Sequence, residues 1–99
     1  MKLRLLRRAT KDLAVAIRWW RANRPAARTM LEDELHHAFA LLAEQPHVGE
    51  TTRDSSLGGA RRFYLSGSRY FLYYRVQEKT GFVEVLRLWH ASRGRTPRL

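Results

Sequence analysis

A chain of 99 residues holds one domain with a single modest core, and it is too short for most cofactor-binding α/β enzymes. It contains no cysteine, which excludes a disulfide framework, a thiolate zinc site and a cysteine nucleophile, and with 44% hydrophobic and 11% aromatic residues it is too apolar for a disordered tail. Nineteen Lys and Arg against nine Asp and Glu give a net charge of +10, so the expected partner is a polyanion or an acidic protein.

Lys2–Leu6 alternates weakly and predicts a short first strand. Its charges interrupt every apolar stretch, so no signal-peptide core is expected, and nothing approaches the roughly 18 apolar residues of a membrane span. A cytoplasmic, membrane-independent protein is expected. Thr10 is placed to cap a helix, with Asp12 in its first turn. Leu13, Ala16, Ile17 and Trp20 form its apolar stripe, and Val15 and Trp19 a second stripe beside it. One of the adjacent tryptophans should face the sheet and the other should anchor a protein partner. Asn23-Arg24-Pro25 ends the helix.

A second helix is expected from Pro25 to Pro46. Ala27, Leu31, Leu35, Ala38 and Leu42 supply its buried stripe, broadened by Met30 and Phe39, and Arg28 and Glu32 can pair on its polar face. His36 and His37 point about 100° apart, and His47 lies in a loop without a visible partner, so no metal site is expected. Charge is uneven: residues 1–28 carry +8, residues 29–60 carry −5 and residues 61–99 carry +7.

Pro46–Gly59 is a long polar loop that includes Asp54, Ser55 and Ser56. Three strands follow. Arg61–Leu65 puts Phe63 and Leu65 on one face and Arg62 and Tyr64 on the other. Arg69–Gln77 puts Tyr70, Leu72, Tyr74 and Val76 opposite Arg69, Phe71, Tyr73, Arg75 and Gln77. Phe82–Trp89 puts Phe82, Glu84, Leu86 and Leu88 opposite Val83, Val85, Arg87 and Trp89. A basic tail runs from His90 to Arg98. The order β-α-α-β-β-β predicts an α+β domain with a helical hairpin on a mostly antiparallel four-stranded sheet.

Four pieces of sequence carry a resemblance: Ala9-Thr10-Lys11-Asp12-Leu13, Arg61-Arg62-Phe63-Tyr64-Leu65, Tyr70-Phe71-Leu72-Tyr73-Tyr74-Arg75-Val76, and Val85-Leu86-Arg87-Leu88-Trp89-His90-Ala91-Ser92-Arg93. In this order and spacing the chain resembles a RelE/ParE-superfamily toxin of a type II toxin–antitoxin system. The resemblance implies neutralisation by an antitoxin whose acidic segment wraps the toxin. It also implies one of two activities, cutting of mRNA on the ribosome or inhibition of DNA gyrase.

RelE-like nucleases resemble one another in carrying lysines around the second helix and the following loop, sheet arginines, and a tyrosine near the C-terminus. This chain offers sheet arginines but no Lys between residues 12 and 78 and no Tyr after Tyr74. A ParE-like gyrase inhibitor without a cofactor is therefore expected. The target surface is assigned to Arg61, Arg62, Arg69, Arg75, Arg87, Trp89, His90 and Arg93, on the expectation that these cations gather on one exposed patch. The antitoxin is assigned Trp19, Trp20, Phe71 and Tyr73, through a helix across the hairpin and a strand on a sheet edge. Two alternatives stay open. One is a ribosome-dependent endonuclease using His90, Arg93, Arg87 and Arg62. The other is an inactive module that only binds antitoxin.

Overall fold

The computed structural model describes residues 1–53 and 58–99; Asp54, Ser55 and Ser56 of the long loop lie outside the described residues. The elements are β1 Lys2–Leu5, α1 Arg7–Asn23, a 3-10 turn at Pro25–Ala27, α2 Met30–Glu44, β2 Glu50–Thr51, β3 Arg61–Leu65, β4 Tyr70–Gln77 and β5 Phe82–His90. The strands form one sheet in the order β1-β5-β4-β3-β2, with β1 parallel to β5 and the other pairings antiparallel. The α+β architecture is the expected one, with a fifth strand of two residues added where the loop leaves α2.

The helices begin elsewhere than their polar residues predict. α1 opens at Arg7 with Leu6 at the N-cap, and Thr10 lies inside it. The reason is the sheet: β1 pairs with β5 as far as Leu5, Leu6 donates its N–H to the Val85 carbonyl, and the chain then turns directly into helix. Asp12 thereby moves out of the first turn. Pro25 opens the 3-10 turn, and α2 starts only after Thr29, whose hydroxyl donates to Asp33. The Trp20 indole N–H donates to the Ala27 carbonyl at 2.7 Å and ties α1 to that turn. Glu32 pairs with Arg21 across the hairpin, at 2.6 and 2.8 Å, in place of the expected Arg28.

The main core lies between the helices and one sheet face. Leu31, Leu35, Ala38 and Leu42 of α2 and Ala9, Ala16 and Trp20 of α1 pack on Leu65, Leu72, Tyr74, Val83, Val85 and Leu88. The alternation on β5 departs from the expected one, because Tyr73 pairs with Arg87 and Tyr74 with Val85, leaving Leu86 as an inserted residue. This bulge turns Leu86, Arg87 and Trp89 to the helix-free face and Val83, Val85 and Leu88 to the core.

The helix-free face is covered as well. Ala60, Tyr73, Leu86 and Trp89 form a second buried cluster, with Leu6, Phe71 and Leu99 packed against it. The segment after β5 crosses this cluster. The Trp89 indole N–H donates to the Arg95 carbonyl at 2.9 Å, and Pro97 is buried.

One buried polar contact holds the loop after α2 to the sheet. The Gly49 N–H donates to the fully buried Tyr74 hydroxyl at 2.8 Å, and a Cβ at Gly49 would stand 2.5 Å from that oxygen. Tyr74→Phe should destabilise the fold by about 1–3 kcal/mol, because the buried N–H loses its acceptor; urea unfolding checks this. Burial raises the Tyr74 phenol pKa above its usual value, with the Gly49 N–H and Arg61 opposing the rise. Above pH of about 10 the unfolded phenol ionises first, so stability falls as pH rises. Tyr74→Phe should flatten part of that alkaline loss.

Candidate functional site

The pairing of β1 with β5 stops at Val85, while β5 continues to His90. Among the described residues no further strand lies beside this edge of β5 beyond that point, and an aspartate on α1 covers it instead. The Asp12 carboxylate accepts the Leu88 backbone N–H at 3.1 Å and a fork from Arg87, Nε at 2.7 Å and Nη2 at 3.2 Å. The remaining Arg87 terminal nitrogen donates to the Arg98 carbonyl at 3.0 Å, and Arg8 reaches the same carbonyl at 3.2 Å. The pair is only 14% and 19% exposed at Arg87 and Asp12. One carboxylate therefore joins the helix and the strand edge, and through Arg87 the chain end.

Between α1 and this edge opens a cleft of about 740 Å³. Arg8, Lys11, Val15 and Trp19 form its helical wall, and Tyr70, His90 and Arg93 face them. Trp19 is 46% exposed, with the Arg24 guanidinium 5.3 Å from its ring centre. The His90 ring meets Tyr70 edge-on at 4.9 Å. Its Nδ1 accepts the Ser92 N–H at 3.1 Å and lies 2.7 Å from the Ser92 hydroxyl, leaving Nε2 as its free polar atom. Burial raises the Tyr70 phenol pKa, and the Arg93 charge opposes the rise. The cleft thus combines an apolar floor with cations on both walls, and its one acid, Asp12, is occupied by Arg87.

On the helix-free face, guanidinium groups lie over aromatic rings. Arg62 is 4.2 Å from the centre of Phe71 and pairs with Glu50. Arg93 is 4.1 Å, Arg87 5.3 Å and Arg95 5.5 Å from Trp89.

A family model for the ParE toxin of type II toxin–antitoxin systems, parDE, matches residues 3–94. The chain belongs to the ParE toxin family. Solved structures with the same fold include the chromosomal ParDE toxin–antitoxin system of P. aeruginosa, at 21% identity, 91% of this chain, 95% of that chain and a TM-score of 0.67. The intact E. coli RelBE toxin–antitoxin complex gives 23% identity, 93% and 98% coverage and a TM-score of 0.58. The isolated E. coli RelE toxin gives 22%, 94%, 86% and 0.59. No curated protein matches the sequence.

In this ParE-family toxin the cations assigned from sequence do not form one patch. Arg62, Arg87 and Arg93 gather around Phe71 and Trp89, with His90 at the rim. Arg61 instead donates to the carbonyls of His47 and Gly49, Arg75 stands beside Gly58, and Arg69 occupies the β3–β4 turn with a positive φ of 66°. Trp89, at 6% exposed, is a packing residue. Of the residues assigned to the antitoxin, Trp20 and Tyr73 are buried, Phe71 is half-buried under Arg62, and Trp19 is exposed. The cleft residues Arg8, Lys11, Arg24, Tyr70 and Ser92 were not assigned to a site from sequence. One signal did point to the clamp: Asp12 is the single acid among nine cations in residues 1–28.

No helix of the toxin is long and apolar enough to cross a membrane, among the described residues. Arg87→Ala should lower stability by about 1–3 kcal/mol, because it strands the half-buried Asp12 carboxylate. Arg93→Ala should stay within about 0.5 kcal/mol, since its head is exposed. Denaturant melts of the two variants check this, and a stable Arg87→Ala protein would remove the clamp from the account.

Proposed function

We propose that this toxin arrests growth by binding DNA gyrase without cutting nucleic acid, and that the cleft beside α1 takes an acidic segment of its cognate antitoxin. One observation carries the first part: the sheet arginines Arg87 and Arg62 that a scission centre would draw on, and Arg61 beside them, are already engaged. Arg87 is held by Asp12 and the Arg98 carbonyl, Arg62 by Glu50, and Arg61 by two loop carbonyls. A phosphate-stabilising arginine needs free donors aimed at the place where charge develops. The absence of Lys between residues 12 and 78 points the same way.

The antitoxin reading rests on the cleft. Trp19 and Val15 offer an apolar anchor among Arg8, Lys11, Arg24 and Arg93, which suits a helix carrying both apolar and acidic residues. The ParDE and RelBE structures are named as toxin–antitoxin assemblies, which supports a partner of that kind.

A ribosome-dependent endonuclease is the second reading, and the Tyr70–His90 contact favours it. An imidazole with Nε2 free, a phenol and Arg93 are the ingredients of metal-independent attack by a 2′-hydroxyl.

Induced expression in a bacterial host separates the two. Gyrase binding predicts DNA-damage signalling and filamentation with intact mRNA, and toxicity retained in Tyr70→Phe. Cuts within translated codons, lost in Tyr70→Phe and His90→Gln, would replace gyrase with the ribosome. No growth arrest from soluble wild-type protein would leave only the inactive, antitoxin-binding module. Trp19→Glu should keep its toxicity while co-expressed antitoxin no longer rescues growth; full rescue would remove Trp19 from the antitoxin site.

A further inference from the structure

The functional reading above uses the cleft and the C-terminal strands, and leaves the outward face of α1 without a role, apart from Lys11 at the rim of the cleft. Arg7, Lys11, Ala14, Arg18 and Ala22 recur on this face at spacings of three and four residues, and all are exposed. Among the described residues, Arg7, Lys11 and Arg18 make no hydrogen bond or ion pair, and no acid shares the row. We infer that this face of α1 binds the phosphate backbone of duplex DNA.

Three features select that partner. The first is charge density. The three cations span about 17 Å of helix axis with no acid in the row. A duplex carries one negative charge per about 1.7 Å of its axis, so phosphates of either strand come within reach of a row of that length. The second is the absence of an apolar anchor. Ala14 and Ala22 stand among the cations, Ile17 beside them is half-buried against the core, and Trp19 and Val15 turn toward the cleft. Protein partners and single strands are held by buried side chains or stacked bases, and this row offers neither. The third concerns membranes. An interfacial helix needs a free apolar face, and that face of α1, with Ala9, Ala16 and Trp20, is spent in the core. The inference is independent of whether the toxin acts on gyrase or the ribosome.

Fluorescence anisotropy of the full chain with a labelled duplex of about 20 base pairs, across roughly 50 to 300 mM salt, tests it. The variant Arg7→Gln/Lys11→Gln/Arg18→Gln should flatten the slope of log affinity against log salt by about 2.7, and Arg18→Gln alone by about 0.9. Arg53→Gln/Lys79→Gln/Arg98→Gln removes equal charge from other exposed positions and should leave the slope unchanged. All three rows of substitutions lie on the surface, and thermal melts confirm folding. Equal flattening by both triple variants would mean diffuse attraction and overturn the inference. So would an unchanged slope in the α1 variant, or binding of a single strand of matched charge as tightly as the duplex. Loss of binding to phosphatidylglycerol vesicles by the α1 variant, with duplex binding intact, would assign the row to a membrane surface instead.

Discussion

The carboxylate of Asp12 is the contact on which the arrangement of this toxin turns. A parallel first strand shorter than its partner leaves part of β5 with unpaired backbone groups, and a buried N–H without an acceptor costs about 1–3 kcal/mol. Asp12 satisfies the N–H of Leu88 directly from α1 and at the same time neutralises Arg87. Together with the core packing of Ala9, Ala16 and Trp20, this side chain joins helix and strand edge and fixes the separation that is the cleft. The same pair removes Arg87 from the exposed cations. A residue that looks like part of a binding surface by composition becomes a brace once its partner is seen.

The bulge at Leu86 has a comparable effect on the opposite face. Without it, strict alternation would put Leu88 on the helix-free face and turn Arg87 and Trp89 toward the helices with Val83 and Val85. With it, Val85 and Leu88 reach the helices while Leu86 and Trp89 join Tyr73 beneath the closing segment. The sheet therefore has apolar material on both faces, which explains why Tyr73 and Trp89 are buried. The arginines stacked over Trp89 and Phe71 shield the rims of these rings, using their planar heads as cover as well as charge.

Much of this was legible in the sequence where a periodic pattern extends over a whole element. The stripe Leu31, Leu35, Ala38 and Leu42 and the strand Arg61–Leu65 sit where their patterns put them, the strand expected at Arg69–Gln77 begins one residue later, and of the two adjacent tryptophans one is buried, Trp20, and one exposed, Trp19. The features that escaped are set by partners distant in the chain. α1 starts at Arg7 because β1 stops pairing, so a plausible capping hydroxyl at Thr10 has no part in it. Glu32 meets Arg21, eleven residues away across the hairpin, which no spacing within one helix anticipates. The β5 bulge shifts every side chain after it, and period-two counting has no means of detecting an inserted residue. The cleft shares this difficulty, since its walls are 75 residues or more apart at Asp12 and Leu88.

Net charge alone misdescribes such a molecule. Its cations fall into three physically different groups. Some are consumed internally, as Arg87, Arg62 and Arg21 are by Asp12, Glu50 and Glu32. Others stand beside exposed apolar surface, as Arg24 does beside Trp19, where attraction and burial act together. A third set, Arg7 and Arg18, with Lys11 between them at the rim of the cleft, makes no ion pair among the described residues, on a helix whose apolar side is already buried. Charge next to an anchor selects a partner with shape, because desolvation of the ring supplies affinity that only a complementary surface recovers. Charge without an anchor selects for charge density, is screened by salt, and tolerates any sequence that presents it. A chain of this size thus separates recognition of a folding segment from attraction to a polyanion by where it places its apolar side chains, with the same guanidinium chemistry serving both.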